Sequence, residues 1–233
     1  MKSITVAMPA LNEEANVENA IKNCLSAFDM LKIDGEVFVV NDGSSDGTQA
    51  AIDRCIAREP ARVKTLRHDT PQGIGASFWD GAMKASKDSV VMMPGDGEND
   101  ATEILRYMPL MDQVDIIVPY VVNEEVREGS RNIISGLFLF IINTTFGLTL
   151  NYTNGTVVYK RELLKDISHR EKGFFYQVEA LIKCIKKGAL YAEVPYMLST
   201  RSTGKSKAMS LKSLKNVMAG YLNLVKDVYF TKG

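Results

Sequence analysis

Met92-Met93-Pro94-Gly95-Asp96-Gly97-Glu98-Asn99-Asp100-Ala101 decides how this chain is read. An apolar run, Ser89 to Met93, stops there, and acids spaced two apart with glycines between them follow. That is the pattern of a buried strand delivering carboxylates to the rim of a sheet. In open α/β sheets, ligands bind outside the carboxyl ends of the strands. In an extended segment Asp96, Glu98 and Asp100 would point the same way. Hard carboxylate oxygens suit Mg2+ or Mn2+ bound together with phosphate groups. Gly, Asn and Asp are also ordinary turn residues, so the stretch alone reads equally well as a solvated acidic turn.

The preceding sequence repeats the strand-then-polar-loop pattern. Ser3–Met8 is β-rich and ends at Pro9, and Asn12 then reads as a helix N-cap with acids in the first turn. Val17, Ile21, Cys24, Leu25, Phe28 and Leu31 recur at helical spacing. Glu36–Val40 is a second strand running into Asn41-Asp42-Gly43-Ser44-Ser45-Asp46-Gly47-Thr48, and a helix over Thr48–Arg58 follows. Val63–Leu66, Ser89–Met93 and Asp115–Val118 read as further strands, with a helix opened by Gly73-Ile74-Gly75 between the first two. Apolar strands alternating with helices predict an α/β fold, a mostly parallel twisted sheet with helices on both faces.

The second half changes character. Between Arg131 and Lys160 there is no Asp, Glu, Lys or Arg. Its centre, Ile133 to Ile142, is about half the roughly 20 residues a spanning helix needs, so it reads as a buried helix or one at a membrane interface. Thr156–Tyr159 reads as a strand, Phe174–Lys187 as a helix, and Ala189–Val194 as a strand stopped by Pro195. Leu211, Leu214, Val217, Met218, Tyr221, Leu222, Val225, Val228 and Tyr229 form a stripe with lysines opposite, on a helix that packs on the body or on a membrane. The chain reads as a single domain over 1–233, made of two halves, 1–118 and 119–210, and a basic amphipathic helix over 211–233.

Lys+Arg 28 against Asp+Glu 28 leaves no overall field to attract nucleic acid. From Ser199 onward, however, Arg201, Lys205, Lys207, Lys212, Lys215, Lys226 and Lys232 face only Asp227, which suits an anion or an anionic membrane surface. Cys24, Cys55 and Cys184 have no paired spacing, which argues against a disulfide framework and for a reducing compartment. The first residues enter a strand at once, without the pattern of a secretory signal, and the expected location is cytoplasmic.

In a parallel sheet the loops Pro9–Glu14, Asn41–Thr48 and Pro94–Asp100 share one edge. There Asp42 is a candidate acceptor for base N–H groups, Glu13 for base or ribose, and Asp96 with Glu98 would hold an ion against a diphosphate. In order and wording these segments resemble the family 2 glycosyltransferases, and within them the dolichol-phosphate mannosyltransferase-like, polyprenyl-phosphate group. The likeness runs from Ser3 to about Lys207. It rests on Pro9-Ala10-Leu11-Asn12-Glu13, Asn41–Thr48, Gly73, Gly75, Ala76 and Gly81, Pro94–Ala101, and Arg201-Ser202-Thr203-Gly204-Lys205-Ser206-Lys207. Each piece alone is weak; all five in this order are specific.

The resemblance implies a GT-A fold, a nucleoside-diphosphate sugar donor, inversion at the anomeric carbon, and Mg2+ or Mn2+. It implies donor contacts from Pro9, Leu11, Glu13, Asp42 and Gly73, a metal site at Asp96 and Glu98, and acceptor-phosphate contacts from Arg131, Arg201, Ser206 and Lys207. Asp96, Arg131 and Arg201 would be the catalytic residues, and peripheral membrane contact would follow from a lipid acceptor. Pro94 stands where the family has an Asp and Glu98 where it has Gln, so cation dependence with altered affinity is expected. Asn151-Tyr152-Thr153-Asn154-Gly155 also departs from the group's usual Asp. Transfer to a sugar hydroxyl in cell-surface polysaccharide synthesis would need a general base, with Asp100 or Glu179 as candidates. A nucleotide-sugar-binding protein without turnover is a third reading. A dinucleotide-binding role is disfavoured, because Gly73-x-Gly75 lacks the third glycine of that fingerprint.

Overall fold

The first strand sets the frame. In β1 (Ser3–Ala10), Ile4, Val6, Met8 and Ala10 point to one core, and Ala7 points to another on the opposite face. A strand buried on both sides calls for helices above and below it. The computed structural model describes residues 2–122, 129–168, 170–197 and 211–231, excepting the side chains of 129–134 and 211–214. The first half runs α1 (Val17–Leu31), β2 (Asp34–Asn41), α2 (Thr48–Arg58), β3 (Val63–Arg67), α3 (Ile74–Lys84), β4 (Ser89–Met92) and the short α4 (Ala101–Leu105). After a 3-10 turn at Met108–Asp112 come β5 (Ile116–Val121), α5 (Gly129–Phe146), β6 (Val158–Lys160), α6 (Arg161–Lys165), α7 (Tyr176–Lys186), β7 (Tyr191–Tyr196) and α8 (Leu211–Tyr229).

The seven strands form one sheet in the order β3-β2-β1-β4-β6-β5-β7. β3, β2, β1 and β4 are mutually parallel. β6 runs antiparallel to both β4 and β5, and β7 is parallel to β5. β6 alone is therefore reversed, and β1, β2, β4, β5 and β7 end at one edge. One core packs α1 and α4 against the sheet through Val17, Ile21, Phe28, Ile104 and Leu105. The other holds Phe78 and Trp79 of α3 with Ile142 and Phe146 of α5, Leu181 of α7 and Leu224 of α8. α3 lies close to β1: a Cβ on Gly81 would come 2.9 Å from that of Ala7.

Two local expectations are corrected. Asn12 is not a cap: it takes a left-handed φ of 58°, and α1 begins at Val17 with Asn16 before it. Pro195 does not stop its strand, which continues to Tyr196. β7 is an edge strand, where a missing N–H costs no ladder bond. The uncharged segment forms α5, which is neither wholly core nor wholly surface, since Ile142 and Phe146 are buried while Leu137 and Phe140 are exposed. Cys24, Cys55 and Cys184 are buried and free, and burial raises all three thiols.

Glu36 in β2 is a buried carboxylate that accepts from Thr5 Oγ1, Lys64 Nζ and Ser86 N, each at 2.7 Å. Burial pushes its pKa up, but the bonds from Lys64, Thr5 and Ser86 outweigh burial and bring it from the usual 4.5 down to about 2. Because the folded pKa is depressed, this contribution is complete above the unfolded value and is lost as pH falls from about 4.5 toward 2. Glu36→Gln is expected to cost roughly 3 kcal/mol at neutral pH and to flatten that acid limb. Denaturant midpoints measured across the range check both effects.

Candidate active site

The sheet's hydrogen bonding runs past the ends of its strands and ties three loops together. Met93 N donates to Ala7 O at 3.1 Å and Gly95 N to Pro9 O at 2.9 Å, which continues the β4 ladder along β1. On the other side of β1, Asp42 N donates to Ala10 O at 2.8 Å. Asp42 and Asp96 therefore flank the end of β1, two interstrand spacings or about 10 Å apart in the plane of the sheet.

The loop after β1 is clamped to the loop after β2. Asn12 Oδ1 accepts from Ser45 N at 2.9 Å, and Asn12 N donates to Ser44 Oγ at 3.0 Å. Glu13 N donates to Thr48 Oγ1 at 2.8 Å, and the Glu13 carboxylate accepts from Asn16 Nδ2 at 2.9 Å. The left-handed Asn12 is what turns both groups toward the second loop. Pro9 is buried and Leu11 half-buried at this rim.

Asp42 is 4% exposed. Its Oδ1 accepts from Gln72 N and lies 2.7 Å from His68 Nδ1, while Oδ2 accepts from Gly73 N at 2.9 Å. The other nitrogen of His68 lies 3.0 Å from Asp80 Oδ2. His68 thus bridges two carboxylates and fixes the plane of Asp42. Sequence reading missed His68, because its signal is contact across the fold and no motif marks it. Gly73, with φ 104°, gives Asp42 its backbone amide, and a Cβ there would meet Lys172 O at 2.7 Å. Lys172 O accepts from Gly75 N at 2.8 Å, so the start of α3 is closed by a carbonyl from the second half of the chain.

The acidic stretch is not extended, so its three carboxylates do not align. Gly97 takes φ 75°, and Glu98 N donates to Asp96 Oδ1 at 3.0 Å, which makes a tight turn. Asp100 caps α4 by accepting from Thr102 N at 2.8 Å. Among the described residues no three His, Cys, Asp or Glu side chains form a ready-made metal cage. Asp96 and Glu98, adjacent in one turn, still fit a divalent ion of the Mg2+ type, which takes one or two carboxylates and completes its shell with phosphate oxygens and water.

Glu179, the other candidate base, is 1% exposed on α7. It accepts from Glu171 N and pairs with Lys183 at 3.0 Å, and Lys183 also pairs with Asp227 of α8 at 2.6 Å. Its carboxylate is built into a helix interface. Arg131 lies in the first turn of α5, but its side chain, like Arg201, Ser206 and Lys207 entirely, lies outside the described residues. Among the described residues no helix is long and apolar enough to cross a membrane.

The sequence matches the family described as Glycosyl transferase family 2 over residues 5–168. It is 27% identical over 234 residues to the polyprenol monophosphomannose synthase of Mycolicibacterium smegmatis, covering 91% of this chain and 83% of that one. It is also 27% identical over 188 residues to the undecaprenyl-phosphate mannosyltransferase of Micrococcus luteus, covering 75% and 76%. A solved structure of glucosyl-3-phosphoglycerate synthase from Mycobacterium tuberculosis, in complex with Mn2+, UDP and glucosyl-3-phosphoglycerate, superposes with a TM-score of 0.67 at 21% identity over 96% of this chain and 80% of that one. Another mycobacterial protein gives 0.73 at 19% identity, over 96% and 75%. The architecture is GT-A-like, as expected from the sequence. With the family match extending from β1 through β6, the chain belongs to glycosyl transferase family 2 and is a glycosyltransferase.

Proposed function

We propose that the chain moves a sugar from a nucleoside-diphosphate sugar to the phosphate of a polyprenyl phosphate, with inversion at the anomeric carbon. The observation carrying this reading is the placement of Asp42 and Asp96 on either side of the end of β1, in a chain whose relatives are named for polyprenyl-phosphate transfer. A carboxylate has about four lone-pair positions. His68, Gln72 and Gly73 occupy three on Asp42, which leaves one for an N–H of the base. Glu13 faces the ribose or base from the neighbouring loop, with Pro9 and Leu11 against the base and Gly73 behind Asp42. Asp96 and Glu98 would hold Mg2+ or Mn2+, which offsets the charge gathering on the departing diphosphate.

An oxygen of the acceptor phosphate attacks the anomeric carbon from the face opposite the diphosphate. The bond from that carbon to the diphosphate breaks, and its electron pair leaves as nucleoside diphosphate. The attacking oxygen is already anionic near neutral pH, so no carboxylate base is required. The geometry supports this acceptor over a sugar hydroxyl, because Asp100 caps a helix and Glu179 is locked in an ion pair. Arg131, Arg201, Ser206 and Lys207 would hold the phosphate. A lipid-linked acceptor would bring the chain to a membrane face.

Asp96→Asn is expected to slow transfer by about 100-fold or more, the scale of losing one transition-state charge partner. A chelator should stop the wild-type reaction and Mn2+ should restore it; full activity in strong chelator would overturn the metal assignment. His68→Ala is expected to raise the KM for donor by roughly tenfold with kcat nearly unchanged, since it loosens Asp42 without touching the reacting atoms. A screen of nucleotide sugars with polyprenyl phosphate in detergent, scored for lipid-linked product, tests the acceptor. Glycosylated product formed with no lipid present would replace it with a hydroxyl acceptor.

A further inference from the structure

α5 and α8 lie side by side. Thr145 Oγ1 and Tyr221 OH are 2.8 Å apart, Tyr229 OH donates to Thr145 O at 2.6 Å, and the Phe146 and Tyr229 rings stack with centroids 6.0 Å apart. Each helix buries one side, through Ile142, Phe146 and Leu224, and leaves the other open. On α5 the open side carries Leu137, Phe140 and Ile141, at the i, i+3, i+4 spacing of a single helix face. On α8 it carries Met218 and Leu222. Beneath the two helices, buried Phe175 meets the Phe138 ring of α5 edge-on at 6.4 Å and lies against Gly220 of α8, while its neighbour Phe174 is exposed.

The charge on this surface is one-sided. α5 has no charged residue after Arg131, and the exposed residues described on α8 include Lys215 and Lys226 but no acid. Asp227 is turned inward to Lys183. A helix side facing water ordinarily carries charges of both signs, whereas the described exposed residues of α5 carry none and those of α8 carry lysines without acids.

We infer that the open side of α5 and α8, with Phe174, docks on an anionic lipid bilayer. Neither helix is fit to cross one. A helix lying in the headgroup region buries its apolar side and sets its lysines against acidic lipids. A two-fold contact between copies of this chain would bring the same face against itself, with no acid among the described exposed residues of α5 and α8 to meet Lys215 or Lys226. Docking here deepens the lipid-acceptor reading and rests on it for its purpose. Phe174 is two residues from Lys172, whose carbonyl closes α3 beside Asp42, so the bilayer face reaches the rim of the donor site. β5 and β7 also end at that edge, and α5 and α8 are the described elements that follow them.

Flotation of the full chain with phosphatidylcholine vesicles, with and without phosphatidylglycerol, tests the inference. The wild type is expected to bind the phosphatidylglycerol vesicles at least about tenfold more tightly, and added salt should weaken that preference. F140E combined with L222E should lose about tenfold or more of the binding, and K215E combined with K226E should lose the preference for anionic lipid. Both double variants should transfer sugar to a short-chain, water-soluble polyprenyl phosphate at close to the wild-type rate. Wild-type protein that ignores both vesicle types, or F140E/L222E protein that binds as well as wild type, would overturn the inference. So would a wild-type dimer that F140E/L222E dissolves, since a second copy would then be the occupant. Vesicle binding by a wild type that glycosylates no polyprenyl phosphate would leave the docking face standing and remove the acceptor assignment.

Discussion

The end of β1 is the constraint on which the site depends. Pro9 and Ala10 each offer a carbonyl to a different neighbour, Gly95 on one side and Asp42 on the other. Backbone amides at a sheet rim need partners as much as those inside it, and here they belong to Asp42 itself and to Gly95 beside Asp96, the two acids proposed to bind the donor. The separation of Asp42 from Asp96 is thereby set by strand spacing and not by loop stiffness. This is the order of precision that a site binding two ends of one ligand requires.

The second half of the chain completes what the first begins. Lys172 O takes the free N–H groups at the start of α3, and Trp79 Nε1 donates to Glu171 O at 3.1 Å from the same helix. The glycines at 73 and 75 let that backbone approach, since a side chain at either would collide with carbonyls of 171–173. A helix start of this kind is otherwise a natural anion site. With a protein carbonyl seated there, the diphosphate of the proposed donor would need its charge met by a cation held at the Asp96 turn, or by the cations of the second half.

Much of this was legible from the chain, for reasons that differ by region. The strands of the first half were readable because both faces are buried, so their runs are apolar throughout, as in Val37–Val40 and Val90–Met93. The three loops were readable because their acids and glycines have no place in a core. What failed was local geometry. Asn12 looks like a cap by composition, but its side chain is claimed by Ser45, a residue 33 positions away. Asp96, Glu98 and Asp100 looked aligned because an extended backbone was assumed, and Gly97 instead turns the chain. His68 was invisible because its role exists only once Asp42 and Asp80 are brought to either side of it. Pro195 misled because edge position is a property of the sheet and not of the strand.

The ion pair between Lys183 and Asp227 has a consequence for how the molecule can be cut. α8 resembles an appendage in sequence, a basic helix at the end of the chain, and removing it would be an obvious way to shorten the protein. Yet Asp227 pairs with a buried ammonium that also pairs with Glu179, and Glu179 holds the 171–173 backbone that closes α3. Cutting before Leu211 would strip Phe146 of its ring partners Tyr221 and Tyr229, and leave Lys183 charged with one counter-ion gone. The last helix is a keystone: what is removed from it is felt at the start of α3, beside Asp42.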